Sequence, residues 1–478
     1  MKMFIDGKAV DASDGATVEI TNPANGQVID TVPKATEADV QAAFDAARAA
    51  QKVWAAKPVY ERSAIMEKFI ELVERDKDDL AQTLMQENGK PIVEAEAEIG
   101  NIPIAFKAFA ERAKHLYGSV IYGSQEVGQE AHTQIIKREP IGIVVAIIPF
   151  NFPCDLFDQK VAPALLAGNS CIVKPSTDNP LTLCKLTQLL DEAGVTPGAI
   201  QIVTGPGSTV GHWLSTNKDA DVITLTGSTA VGIETARVAA DHLAHVTLEL
   251  GGNDAFIVCK DADLDLAVEE MIWGRFYNTG QVCCASKRFL IQNDVKAAFE
   301  EKAVARIKQL KFGDPADRDT QVACLISEKA AKKVEEQVNL TVEQGGRIIL
   351  GGKRDGAFYE PTVVTDIPKT ADVATDMEIF GPVVSIIGFD TIDEAIELAN
   401  SSKFGLCGCV FTKDQKTAFD VTSRLECGGA IINGASFFRA FEQPFGGYKY
   451  SGYGNEGVQT TFDEVTRTKS IILKNIAI

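Results

Sequence analysis

Apolar positions change rhythm along this chain near residue 141. Upstream, residues 37–55 and 60–87 place apolar side chains at three- and four-residue spacing, which predicts two amphipathic helices, with Thr36 as the N-cap of the first. From 141 onward short β-branched runs take over: IGIVVAII, SCIVK, AIQIV, DVITLT, HVTLEL and AFIVC. Stretches at 155–167, 180–194, 208–216 and 229–240 separate several of them and read as helices. Strands that are apolar throughout are buried on both faces, so this alternation predicts an α/β fold with a doubly wound parallel sheet. Such sheets commonly bind nucleotides, although fold alone does not establish function.

A second α/β rhythm follows from about residue 286, with helices near 295–310, 328–345, 391–400 and 414–426. Its short strands fall near 347–350, 383–388, 407–411 and 429–432. Two pieces fit neither half. Residues 119–139 read as an extended polar hairpin, and the tail DEVTRTKSIILKN alternates like a strand without a local partner. Such a strand pairs elsewhere in its chain or with another subunit.

Composition narrows the class. A chain of 478 residues has room for two or three domains, and 45% apolar with 24% charged residues is the balance of a soluble globular protein. The net formal charge of −19 is spread along the chain and repels phosphate backbones and anionic membranes, which argues against nucleic acid or membrane as partners. The N-terminus lacks a signal-like apolar region, and no uncharged apolar run approaches the ~18 residues that span a bilayer. Ten cysteines without C-x-x-C pairs read as reduced thiols of a cytoplasmic protein. His242 and His245 could share a helix face, but no further ligands lie near them in sequence, and no metal is expected.

Several motifs could carry chemistry. VTGPGSTVG, with Gly205, Gly207 and Gly211, misses the dinucleotide fingerprint by one residue; LTGSTAVG, with Gly227 and Gly232, fits a phosphate loop that lacks its Lys. Each opens a helix after a strand, where free N–H groups attract phosphate, but each also suits a simple strand-to-helix turn. Lys174 ends a strand, as either a solvated charge or a ribose or phosphate contact. Glu249 lies between leucines in a buried run, which raises its pKa and suits a general base, unless it meets water at the strand end. FYNTGQVCCASKR sets Cys283 beside Cys284 after a turn. A thiolate nucleophile and a pair of inert buried thiols both fit that spacing.

Taken together, these motifs resemble the aldehyde dehydrogenase superfamily over nearly the whole chain. The resemblance rests on PFNFP (149–153), KVAPALLAGN (160–169), KPS (174–176), TGSTAVG (226–232), LELGGND (248–254), GQVCCA (280–285), EIFGPVV (378–384) and PFGGYKYSGYGNEG (444–457). It implies Cys283 as nucleophile, Asn151 with the Cys283 N–H as an oxyanion hole, and Glu249 as the base that activates water. Lys160 and Glu456 match positions that relay the proton. Pro149, Phe150, Asn151, Lys174, Ser176, Thr177, Gly207, Thr226, Gly227, Ser228, Glu249, Leu250, Gly251, Cys283, Glu378 and Phe380 would surround NAD or NADP, with Lys174 and Glu378 on the riboses. Phe152, Cys284 and Arg439 would face the aldehyde.

The chemistry needs these residue types. Thiolate attack gives a thiohemiacetal oxyanion, which two preorganised donors stabilise. Hydride loss to the nicotinamide leaves a thioester that an activated water must cleave. The resemblance also implies a Rossmann-like NAD(P)-binding domain (1–118 and 140–251) and an α/β catalytic domain (252–450). A small β arm (119–139 and 460–478) would join a homodimer or homotetramer, the tail pairing with a neighbouring subunit.

Two departures bear on specificity. Thr177 stands where many NAD-using members carry a Glu that repels a 2′-phosphate, which favours NADP. CDLFDQK offers Asp155 and Asp158 where succinate-semialdehyde members carry an Arg, leaving Arg439 as the substitute anchor. Succinate semialdehyde, lactaldehyde and a broad range of aldehydes stay open as substrates. A CoA-acylating semialdehyde dehydrogenase and a catalytically idle relative remain the alternatives, the first disfavoured by Glu249.

Overall fold

The computed structural model describes residues 1–476. Helix α1 (Glu37–Ala55) begins where its sequence says it should. Thr36 Oγ1 accepts from the Asp39 N–H at 3.2 Å, and the Thr36 N–H donates to Asp39 Oδ2 at 2.8 Å, a reciprocal capping box. Helix α2 (Val59–Asn88) stops at Gly89, whose φ of 82° is the left-handed conformation a helix C-terminus favours. Helix α3 (Ile92–Ala113) has no counterpart in the sequence reading. Pro103, a residue that argues against a helix interior, lies inside it, and Glu94 and Glu98 on its inward face break the apolar stripe.

Helix α4 (Pro153–Ala167) starts with Pro at its first position and is buried along its length. It packs against α2 and α3 through Phe69, Phe106 and Phe157, with ring centroids 4.6 Å apart for the first pair and 6.5 Å for the second. Helix α5 is Leu181–Ala193. The predicted helix at 208–216 divides into a wide π-type turn, Gly207–Gly211, and a short helix α6, His212–Thr216. Helix α7 spans Thr229–Ala240 and α8 spans Leu264–Phe276.

Five parallel strands make the centre of the first sheet, in the order 200–202, 170–174, 143–147, 222–226, 245–249. Strands 3–5 and 8–10 extend one edge, and 452–453 pairs antiparallel with 245–249 at the other. The order reverses between 143–147 and 222–226, so a crevice opens beyond their carboxyl ends. The second sheet runs 347–350, 362–365, 383–389, 286–292, 254–258, 407–411, 429–432, parallel except at 347–350. All six apolar runs of the sequence become central strands of these sheets. The α/β class with parallel sheets is thus the observed fold.

The tail departs from expectation. Thr466–Leu473 pairs antiparallel with Thr133–Pro140 over eight residue pairs, and Ser119–Tyr122 flanks the other side of 133–140. The strand partner that the resemblance placed in a neighbouring subunit therefore lies in the same chain. Full registry between two strands of equal length satisfies the backbone locally. Residues 460–464 form a short helix rather than part of this sheet, and 477–478 lie outside the described residues. Among the described residues no helix is long and apolar enough to cross a membrane.

Candidate active site

Three chain segments converge beyond the ends of the strands. The first leaves strand 143–147 through Pro149, Phe150 and Asn151 and enters α4. Asn151 is buried, and its carboxamide makes no hydrogen bond to other described residues. The second is the end of strand 245–249, where Glu249 is 2% exposed. The third follows α8, where Asn278 (φ 48°) and Thr279 (φ 55°) take left-handed conformations in succession. For a β-branched Thr this is strained backbone, which persists only when its surroundings hold it. Glu94 Oε2 accepts from the Asn278 N–H at 2.7 Å, and Thr279 Oγ1 accepts from the Ala323 N–H at 3.1 Å. Cys283 comes next on this pinned turn.

A cavity of about 330 Å³ joins Cys283, Cys284, Asn151, Phe152 and Arg439, with aromatic walls that include Trp273, Tyr277 and Phe437. A hydrogen bond with the Cys284 thiol and burial raise the Cys283 pKa well above that of a free thiol, while Lys287 and Arg439 pull it down. Burial, then the charges of Cys283 and Glu456, raise Glu249 in the same way. Both Glu249 carboxylate oxygens are buried without a hydrogen-bond partner. Two such groups cannot both ionise cheaply in one site, so each one's charge favours the other's neutral form.

Lys160 donates to Glu456 Oε1, and Arg439 Nη2 donates to Glu456 Oε2 at 2.9 Å. Burial would raise the Glu456 pKa, but the two cations outweigh it and hold the carboxylate ionised. Arg439, expected as a free anchor for a substrate carboxylate, is therefore already paired; its guanidinium also lies 4.1 Å over the Phe445 ring. Of the two acids after NFP, only Asp155 lines the cavity. Burial and the charge of Glu98 push it up to about 7. Asp158 turns into the interior with both oxygens unpartnered.

On the other face of the first sheet a groove of about 450 Å³ runs between Gly207–Ser215 and α7. Ser228 caps α7 without a side-chain bond, which leaves its first-turn N–H groups for a ligand. A Cβ at Gly232 would sit 2.5 Å from Leu250 Cδ2, so only glycine lets α7 pack this closely on Leu250. Lys174 is buried with its Nζ on the Pro175 carbonyl at 2.7 Å, and burial brings its pKa down to about 8. Thr177 Oγ1 donates to the Gly205 carbonyl at 3.2 Å, Ser176 Oγ accepts from the Asp178 N–H at 3.3 Å, and the Thr226 hydroxyl is buried without a partner. Gly227 donates its N–H to the Glu249 carbonyl at 3.0 Å, tying this groove to the catalytic strand.

Towards Cys283, Phe380 meets Phe150 edge-on, centroids 6.0 Å apart. Glu378 accepts from the Gly252 N–H at 3.3 Å and pairs with Lys287 at 3.0 Å; a Cβ on Gly251 would lie 2.6 Å from Glu378 Oε2. An open groove, a helix N-terminus without a side-chain cap and a buried lysine on a backbone carbonyl fit a dinucleotide; of the residues expected around it, Gly207 lines the groove itself.

The sequence pattern does not mark Lys287, Lys90, Glu94, Glu98 or Asn278. Lys287 donates to the Cys283 carbonyl, and the other four pin the turn and the Asn151 segment. A buried lysine inside the apolar run SKRFLI and two glutamates four apart on a helix were the available signals.

Comparison with known proteins agrees with this geometry. The Aldehyde dehydrogenase family profile matches residues 10–471. Glutarate-semialdehyde dehydrogenase of Pseudomonas putida is 38% identical, the match covering 98% of this chain and 97% of that protein. The NADP(+) succinate-semialdehyde dehydrogenase of Escherichia coli is 37% identical over 98% of this chain and 96% of that one. Among solved structures, an NADP-dependent enzyme of E. coli superposes with a TM-score of 0.96 at 36% identity, covering 99% of this chain and 98% of that one. Betaine aldehyde dehydrogenase of Staphylococcus aureus in complex with NAD+ gives a TM-score of 0.95 at 34% identity, covering 99% and 95%. With profile, relatives and architecture in accord from end to end, the chain belongs to the aldehyde dehydrogenase family.

Proposed function

We propose that this protein oxidises an aldehyde to a carboxylic acid with NADP or NAD, through Cys283 and with water as the acyl acceptor. The observation that carries this reading is Glu249: a buried carboxyl with both oxygens free, in the same site as Cys283. The Cys283 thiol first gives its proton to water, and its Sγ then bonds to the aldehyde carbon as the carbonyl pair moves onto oxygen, where the Asn151 carboxamide and the Cys283 N–H donate to it. When bound, the nicotinamide supplies the acceptor for the aldehyde's hydride, which no side chain can provide. Glu249, as carboxylate, then takes a proton from the water that attacks the thioester, and the Cys283 sulfur departs. Glu456, held ionised by Lys160 and Arg439, raises the basicity of Glu249 through its charge.

Thr177 and the nearby Lys174 support NADP over NAD, since neither repels a 2′-phosphate. For the substrate, Asp155 on the wall and the neutralised Arg439 disfavour an anionic tail, whereas hydrogen-bonding groups and aromatic walls suit a small hydroxyaldehyde such as lactaldehyde. The division of labour follows the two sheets, with 1–118 and 140–251 holding the cofactor and 252–450 the catalytic loop. Reduced-cofactor formation from a panel of lactaldehyde, succinate semialdehyde, aliphatic and aromatic aldehydes, each with and without CoA, tests the reading. Turnover without CoA, highest kcat/KM for lactaldehyde and preference for NADP are expected. Strict dependence on CoA would establish the acylating alternative, absence of any turnover an idle one.

A further inference from the structure

Asn151 can act as an oxyanion donor only if its backbone is fixed relative to Cys283, and four residues outside the expected site do that fixing. Lys90, 1% exposed, donates from Nζ to the Asn151 carbonyl at 2.9 Å and to Glu98 Oε2, and lies 4.6 Å over the Phe152 ring. Asn278 Nδ2 donates to the same carbonyl at 2.8 Å. The Asn151 carbonyl thus accepts two bonds, one from each of two distant chain segments. Glu98 Oε1 accepts from the Cys154 N–H at 2.8 Å and so caps the first turn of α4, which has no side-chain cap of its own. Four residues earlier on α3, Glu94 accepts from the Asn278 N–H on the strained turn before Cys283. One face of α3 therefore holds both the segment that carries Asn151 and the segment that carries Cys283.

We propose that Lys90 and Asn278, braced by Glu98 and Glu94 on α3, are positioning residues that hold the Asn151 carboxamide where the thiohemiacetal oxyanion forms. This rests on the reading of Asn151 as an oxyanion donor. Aldehyde addition builds charge on oxygen, whereas alkylation of the thiol by iodoacetamide expels iodide and builds none. Loss of the brace therefore separates the two reactions at one sulfur, which a general loss of folding does not do.

The test uses the full chain with N278G, N278D and the charge-neutral pair K90M/E98Q, with N151A as reference. Glycine and aspartate both tolerate the left-handed backbone of position 278. The NADPH burst on mixing with propanal is read beside Cys283 alkylation without cofactor, followed by peptide mass spectrometry. We expect the burst to slow by roughly ten- to a hundredfold, part of the cost of losing an oxyanion donor outright. Alkylation should stay within about twofold of wild type, since it needs no such donor. Wild-type bursts in the brace variants alongside a slow N151A burst would overturn the inference alone. Alkylation falling in step with the burst would overturn it too, by showing that the brace holds the cysteine instead. A normal burst in N151A would overturn the underlying assignment of Asn151 and this inference with it.

Discussion

Cys283 and Cys284 are neighbours in sequence with different surroundings. Both line the cavity, but Cys283 is the more open of the two; Cys284 is 4% exposed, and its carbonyl accepts from Ser436 Oγ at 2.9 Å. Cys283→Ala should abolish oxidation, while Cys284→Ala should keep measurable turnover in a steady-state assay. Glu249→Gln should release one equivalent of reduced cofactor in a burst and then stall, because the thioester lacks an activated water. A rapid-mixing trace distinguishes this from loss of the first half-reaction. Glu94 gives a stability prediction. Burial outweighs its bond from Asn278 and pushes its carboxyl up from 4.5 to about 8. Between those values the folded chain holds a proton that the unfolded chain has released, so this group's contribution to stability falls as pH rises from about 4.5 to about 8. Glu94→Gln keeps an acceptor for the Asn278 N–H and removes the titration. Its Tm should fall less than wild type between those pH values, by about one to a few degrees.

At the scale of elements, legibility followed burial. Strands 143–147, 170–174, 222–226 and 254–258 are buried almost throughout, so their apolar runs announce them without help from context. The cap at Thr36 was readable because a capping box is local. Helix α3 was not, since its inward face carries the two glutamates that brace the site and Pro103 in its interior argues against a helix. Roles given by the family motifs sat in contiguous stretches of sequence, whereas the brace joins residues 61 and 127 positions apart, a separation that no local pattern reports. The tail strand showed its alternation but not its partner, for the same reason. Deleting 465–478 removes one side of the three-stranded arm and leaves 133–140 paired only with 119–122, one of its edges bare. The truncated chain should melt several degrees lower in a thermal scan and aggregate more readily through the bared edge.

For the whole molecule, the arm presents Val120, Ile121, Tyr122, Ile471 and Ile472 to solvent even after its strands have paired with each other. Ile121 and Ile472 both stand at the level of Gln134 on one face of this sheet, which fits an interface between copies of this chain, and closed two-fold symmetry is the usual outcome. Charged substitutions at Ile121 and Ile472 should lower the mass measured by light scattering while leaving the circular dichroism spectrum intact. An unchanged mass would show that this face is not an interface. The late position of the arm's last strand also bears on how the protein is made. Residues 452–453 close the edge of the first sheet and 466–473 close the arm, so each sheet waits for a strand made long after its neighbour has left the ribosome. Until then a nascent chain carries two open edges, the surfaces through which unfinished proteins stick to one another. Synthesis halted short of residue 452 would leave both edges bare, whereas synthesis past residue 473 hides them together.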